Sequence, residues 1–333
     1  MAEIEVPHPR EVLDLSGQEP AEVAFEDARG RGRLHHAWLL TGPEGVGKAT
    51  FAYRAARRLL GAPPDPSHGI LGASADHPVT RQVAARSHPD LLVLEREGPD
   101  GKARKVIPVD DARKLAEFFS KSPASAPHRV AIIDAADDLN VNAANAILKT
   151  LEEPPPRGIL LMVSHSPGRL LPTIRSRCRR LAFHPLGVDE TAAFVRHRAD
   201  ANAEDALRLA TMADGAPGRA LQLAAANAIA MDDAARELLA ALPQVDESRA
   251  LVLAERFRGG EGPAQFNLLF DRLSDRVHSL ATHRAGEGFG ALDRWAQAWE
   301  TLQRLPREVE SLNLDRTDAL FTALSELRLA ARA

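Results

Sequence analysis

Cysteine occurs once in this chain, at Cys178, so no internal disulfide framework is possible and a reducing, cytoplasmic setting is expected. Long apolar runs are missing: none approaches the length of a membrane span. The stretch from Met1 to Pro9 is polar and interrupted by proline, with no apolar signal core, so no membrane association is expected. Positive charge is not in excess either. A formal net charge of −4 excludes a global basic field that would recruit nucleic acid, so any DNA contact must come from local patches. Aromatic residues make up 5% of the chain with a single tyrosine, and no aromatic interleaving marks a surface that stacks single-stranded bases. Lysine is scarce as well, and all six lysines lie at or before Lys149. A lysine at a phosphate-binding position is therefore less easily accidental here.

What is present is the balance of a soluble globular protein: 333 residues, 44% hydrophobic and 26% charged, too long for one ordinary core. Through roughly residue 185, short apolar runs alternate with helical patterns, which predicts a parallel sheet covered by helices. Strands are expected at Ala37–Thr41, Leu91–Leu94, Val130–Asp134, Ile159–Ser164 and Arg180–Phe183. Helices are expected at Ala49–Leu60, Asp111–Phe119, Val141–Glu152 and Gly168–Ser176, the third stopped by Pro154-Pro155-Pro156. The Pro-, Gly-, Ser- and His-rich segment Gly61–Pro89 reads as an irregular excursion. After Pro185 the pattern becomes Ala-rich and helical, which gives a three-part division into residues 1–184, 185–230 and 231–333. The last part is helical throughout, with breaks expected at Pro243, Gly259–Pro263, Gly286–Gly290 and Pro306. Within it Phe266, Leu269, Phe270, Leu273, Val277 and Leu280 recur at helical spacing, as an internal core would require.

The most specific chemistry lies in Trp38–Thr50. Gly42, Gly47 and Lys48 complete a G-x-x-x-x-G-K loop between an apolar strand and a helix, and Gly45 lies inside it. Glycines let successive backbone N–H groups turn inward around phosphate, and the helix N-terminus adds its positive end. Lys48 would place a point charge on the outer phosphates. The next position usually carries the Ser or Thr hydroxyl that ligates magnesium, and here it is Ala49. Thr50 is a poor substitute, because one residue along a helix turns the side chain by about 100°. The apolar strand that ends in Asp134 supplies the carboxylate that would hold a metal through water. An active ATPase of this type places Glu directly after it, whereas this chain has Ala135-Ala136-Asp137. Asp137 reads as the start of the next helix, since Asp is a favoured cap. Two catalytic parts are thus missing together.

The order of motifs resembles the AAA+ clamp-loader family over roughly residues 18–230. Four pieces carry the likeness: Leu34–Gly42, Asp134–Asn140, the Asn145–Pro155 run Asn-Ala-Ile-Leu-Lys-Thr-Leu-Glu-Glu-Pro-Pro, and Ser176-Arg177-Cys178. The third is the longest and most specific. The damaged loop and the Asp134-Ala135 pair resemble the family's non-hydrolysing members, not the hydrolysing gamma/tau subunit. The resemblance implies an α/β P-loop AAA+ domain, a small helical lid domain and an all-α C-terminal collar domain. It implies that Arg177 reaches across an interface into a neighbour's ATP site, where a fixed, always-charged guanidinium suits the γ-phosphate. It also implies that Arg219, at the start of a lid helix, faces the chain's own nucleotide or survives in packing, and that Ser164 occupies a first-sensor position.

ATP and magnesium would then serve partner subunits, with weak or no nucleotide binding at Gly42, Gly45, Gly47, Lys48, Thr50, Asp134 and Arg219. The implied partners are gamma/tau and delta subunits, a sliding clamp and, through the complex, primed DNA. Many relatives carry a four-cysteine zinc module after the first helix. The matching stretch here has no cysteine, and His68, His77 and His88 are too few and too unevenly spaced, so no zinc is expected. The basic residues Arg29, Arg31, Arg33, His35, His36, Arg54, Arg57 and Arg58 could touch nucleic acid but read better as a solvated face. Two other readings stay open. One is a working ATPase, which would need Thr50 or water for the metal and Asp137 or Asp138 for the glutamate. The other is a DNA-binding scaffold with a relic nucleotide fold.

Overall fold

A computed structural model describes residues 4, 6–97, 104–286 and 292–332. It divides into two compact units, residues 5–221 and residues 222–333 with 1–4. The first unit is built on five parallel strands: β1 (Ala37–Thr41), β2 (Leu91–Glu95), β3 (Arg129–Asp134), β4 (Gly158–Ser164) and β5 (Arg179–Ala182). Their order across the sheet is β2-β3-β4-β1-β5. In β1 and β4 every residue is buried, as continuous apolar runs covered on both faces require.

Side chains alternate between two cores, following the two-residue period of a strand. Trp38, Leu40, Val130, Ile132, Leu161 and Val163 face α1 (Glu19–Gly30) and α2 (Lys48–Leu59). Leu39, Ala131, Ile133, Leu160 and Met162 face α4 (Val109–Phe119) and α5 (Val141–Glu152). The strands lie within one residue of their expected bounds, and α5 matches its expected span. The helix expected at Gly168–Ser176 is instead a 3₁₀ turn, Pro167–Arg169, followed by the four-residue α6 (Pro172–Arg175). Two helices fall where none is expected. The buried stripe of α1 is Ala21, Glu22, Phe25 and Ala28, too small and too charged to register as apolar periodicity. Helix α3 (Pro78–Ala84), inside the supposedly irregular excursion, starts at Pro78 and is capped by His77 Nδ1 accepting from the Val79 N–H.

The first unit continues through α7 (Val188–Ala199) and α8 (Ala203–Met212), and the boundary at 221 falls inside α9 (Pro217–Ala225). The second unit contains α10 (Ala228–Ala240), α11 (Glu247–Glu255), α12 (Gly262–Gly286), α13 (Leu292–Leu312) and α14 (Arg316–Arg332). On α12 Phe266, Leu269, Phe270, Leu273 and Val277 are buried, so the stripe is an internal core; Leu280 alone is exposed. Pro306 does not break a helix: α13 runs through it, held by buried Leu302, Leu305 and Val309 on both sides. Of the break expected at Gly286–Gly290, residues 287–290 lie outside the described residues. Among the described residues no helix is long and apolar enough to cross a membrane.

Candidate nucleotide and arginine site

Strand register brings the chemistry to one edge of the sheet. Thr41 lies beside Ser164, and Glu95 beside Asp134, at the carboxyl ends of neighbouring parallel strands. The loop after β1 turns through Gly42 (φ 152°), Gly45 (φ 79°) and Gly47 (φ 102°), and Gly47 is the residue from which α2 starts. The glycines are needed for space as well as for backbone freedom. A Cβ on Gly42 would lie 2.4 Å from the Phe183 carbonyl oxygen, and one on Gly45 would lie 2.4 Å from the Arg219 nitrogen. The start of α9 therefore rests directly on the loop, and the Gly218 N–H donates to the Gly45 carbonyl at 2.8 Å.

Lys48 is buried, and its ammonium donates to the Gly42 carbonyl at 2.6 Å and to the Pro43 carbonyl. Burial lowers its pKa to about 8, opposed by the attraction of Asp134 and Glu44. Burial in turn pushes the Asp134 carboxyl up to about 6; Glu95 adds to the rise and Lys48 opposes it. A magnesium ligand must be ionised, and desolvation works against that at Asp134. Position 49 offers a methyl group where a hydroxyl is needed, and Thr50 is half-buried one step further round α2. Among the described residues no group of three or more His, Cys, Asp or Glu side chains is placed to hold a metal ion. The donor set suits a phosphate and does not make a magnesium site.

Asp137 has a role that the sequence reading missed. It does not cap the next helix: Ala136–Asp138 is a 3₁₀ turn, and α5 is capped by Asn140, whose Oδ1 accepts from the Ala143 N–H at 2.8 Å. Instead Asp137 Oδ1 accepts from Ser164 Oγ (3.0 Å) and the Ser166 N–H (3.2 Å), while Oδ2 accepts from the His165 N–H (2.6 Å). Both carboxylate oxygens are engaged in tying down the end of β4. The neighbouring Asp138 pairs with Arg96 at 3.1 Å. The one hint in the sequence is Ser164-His165-Ser166 itself, a polar strand exit whose N–H groups need an acceptor.

Arg177 lies just beyond α6. Its Nη1 donates to the Thr173 carbonyl at 2.9 Å, and its Nη2 lies 2.9 Å from Glu152 Oε1 at the end of α5. The side chain keeps 35% of its surface exposed. Cys178, beside it, packs against the core, and burial raises its thiol pKa to about 11, which makes it an inert apolar contact. Arg219 has its backbone against Gly45, so it lies close to the chain's own loop, and its side chain is exposed.

The basic residues of α2 are not a solvated face. Arg54 is buried, donating from Nε and Nη2 to Glu22 Oε1 at 2.9 and 2.7 Å and from Nη2 to the His68 carbonyl at 2.6 Å. Arg57 donates to the Val12 and Arg10 carbonyls, and Arg58 to that of Ala62. Their fork-shaped donors stitch the N-terminal segment and the excursion onto α2, and their burial keeps them from nucleic acid. Arg29 and Arg31 pair with Glu26 and Asp27 one turn earlier on α1. His36 bonds the Leu151 carbonyl at 3.2 Å and stacks on His35. The three excursion histidines are scattered: His68 pairs with Asp14, His77 caps α3, and His88 Nδ1 accepts from the Asp90 N–H.

A sequence profile described as "DNA polymerase III, delta subunit" matches residues 17–187, just over half of the chain. The delta′ subunit of DNA polymerase III from Pseudomonas aeruginosa is 41% identical over 157 residues, 47% of this chain and 45% of that protein. The delta′ subunit from Bacillus subtilis is 34% identical over 156 residues, 46% of this chain and 44% of that protein. The tau subunit from Salmonella typhimurium is 30% identical over 295 residues, 84% of this chain and 41% of that protein. The chain thus spans less than half the length of these curated relatives. Among solved structures, a DNA polymerase III gamma subunit-related protein from Thermotoga maritima has a TM-score of 0.47 at 19% identity, covering 92% of this chain and 99% of that one. With the profile spanning the sheet, the loop and Arg177, the chain belongs to the DNA polymerase III delta-subunit family and is delta′-like within it.

Proposed function

We propose that this chain is a non-hydrolysing, delta′-like subunit of a bacterial clamp loader that lends Arg177 to a neighbouring gamma/tau subunit's ATP site. The observation that carries this reading is Asp137. The first carboxylate after the position of the missing glutamate, Asp137, is spent on Ser164, His165 and Ser166. With Ala49 in place of the magnesium ligand, neither catalytic part is repaired from nearby. Phosphate can still be attracted to Lys48 and the loop, so the chain's own nucleotide site binds weakly or not at all. The backbone of Arg219 then serves packing against the loop, while its exposed side chain no longer needs to face a nucleotide.

Under this proposal residues 1–184, 185–230 and 231–333 act as P-loop domain, lid and collar. The collar helices join gamma/tau and delta subunits in the cytoplasm, and the assembly places a sliding clamp on primed DNA. Arg177 has the chemistry for its part: an always-charged fork that can bond two oxygens of a phosphoryl group as negative charge spreads over it. Such an arginine is worth about 10³–10⁵ in rate, or roughly 4–7 kcal/mol of barrier.

The test is reconstitution with gamma/tau and delta subunits. Wild-type chain should stimulate ATP hydrolysis, and Arg177→Ala should lose roughly a thousandfold or more at the dependent site while the complex still assembles. Equal turnover for both versions would discard the role. Steady hydrolysis by the purified chain alone, abolished in Lys48→Ala, would favour the gamma/tau-like ATPase instead.

A further inference from the structure

Arg177 is a long, flexible side chain on a short connection, since α6 is a single turn that ends two residues before it. An arginine that must meet a phosphate from such a place gives up rotamer freedom unless something already holds it. Here both terminal nitrogens are held, Nη1 by the Thr173 carbonyl and Nη2 by Glu152 Oε1. The Thr173 contact is local to α6. The Glu152 contact is not: it comes from a different element.

Glu152 is the last residue of α5, whose buried face of Ala143, Ala144, Ile147, Thr150 and Leu151 is locked against the sheet and whose other end is capped by Asn140. A carboxylate at that end is unfavourable for the helix itself, because the C-terminal end of a helix dipole prefers a cation. Lys149, one turn earlier, is the residue that suits it. A local account of α5 therefore explains Lys149 but not Glu152.

Resting on the reading of Arg177 as an arginine that acts in trans, we propose that Glu152 is its positioning residue. A guanidinium carries five N–H groups. The two contacts use one on each terminal nitrogen and leave three, two of them on separate terminal nitrogens, for an incoming phosphate. Glu152 thus fixes the plane of the fork without exhausting its donors. With half of the Glu152 surface exposed, water screens the pair and its contribution is modest.

The experiment uses the reconstituted complex with gamma/tau and delta subunits and reads kcat and KM for ATP separately. Glu152→Ala should lower kcat about two- to fivefold, the range of an exposed ion pair, with KM unchanged. Glu152→Gln keeps the acceptor oxygen and should recover part of the loss. Glu152→Ala in an Arg177→Ala background should cost nothing further, since the arginine it orients is gone. A purely structural role would add its loss in that background, and this result would overturn the proposal. So would an unchanged or faster kcat in Glu152→Ala, the latter meaning that the carboxylate masks the arginine. If Arg177→Ala itself turned over like wild type, the trans-acting arginine would fail and Glu152 with it. A full effect of Arg177→Ala beside a silent Glu152→Ala would sink the positioning role alone.

Discussion

Replacing Asp134 by asparagine should stabilise this protein at neutral pH and do nothing at acid pH. Burial, with Glu95 adding to it, holds the folded carboxyl at about 6, against an ordinary value of 3.8. The folded state therefore binds more protons than the unfolded state between these values. The stability the group contributes is fully present below about pH 4 and is lost as pH rises through 6. A rise of about two units corresponds to roughly 3 kcal/mol between the protonated and ionised forms. The asparagine side chain keeps the shape and cannot ionise, so at pH 7 the variant escapes that cost. The value of about 6 already includes the opposing attraction of Lys48, so the lost Lys48 contact is not a further cost. The net expectation is a stabilisation of about 1–3 kcal/mol at pH 7 and none at pH 4. Urea unfolding followed by circular dichroism at pH 4, 5, 6 and 7, at constant ionic strength, measures it. A variant less stable than wild type at pH 7, or with the same slope of stability from pH 4 to 6, would refute the reasoning.

Two further expectations concern packing in the first unit. Glu22→Ala leaves the buried Arg54 guanidinium with the His68 carbonyl as its acceptor and should cost about 3–5 kcal/mol in urea unfolding. The double replacement Glu22→Leu with Arg54→Met should regain most of it, and a single-variant loss under about 1 kcal/mol would contradict the pair's importance. Gly45→Ala adds a methyl group at φ 79°, 2.4 Å from the Arg219 nitrogen, and should lift the start of α9 off the loop at a cost of about 1–3 kcal/mol. Limited proteolysis should then open the Asp214–Pro217 segment; a cleavage pattern like wild type's would mean that α9 does not depend on the loop.

The parts of the fold legible in the sequence are those set by continuous apolar runs and by helix ends with strong stop signals. Val130–Ile133 and Ile159–Val163 are unmistakable because both faces of those strands are buried. Helix α5 has a cap at Asn140 and a proline stop, so both of its ends could be read. Helix α1 could not, because its buried face includes Glu22, a residue that only its partner Arg54, far along the chain, makes tolerable in a core. Long-range acceptors likewise hid the fate of Arg54 and Arg57, which look like a charged surface until Glu22, His68, Val12 and Arg10 are in place. Pro306 misled for a related reason: packing of Leu302, Leu305 and Val309 outweighs a local cost of about 3 kcal/mol. In the site, the glycines and Lys48 were readable from spacing. What Asp137 bonds, and what holds Arg177, were not, because each depends on groups brought together by the parallel crossovers.

Asp137 also bears on why the missing water-activating carboxylate is not simply restored from the next acidic residue. To turn toward an attacking water it would have to release Ser164 Oγ and two backbone N–H groups. Hydrogen bonds to a charged acceptor are worth about 1.5–3 kcal/mol each, and the two N–H groups would lose the acceptor that ties them. Those residues lead through the Pro167–Arg169 turn into α6 and on to Arg177. Freeing Asp137 for hydrolysis would loosen the exit of β4. The geometry commits the carboxylate of Asp137 to the exit of β4, and an active site in this chain would have to give up that support.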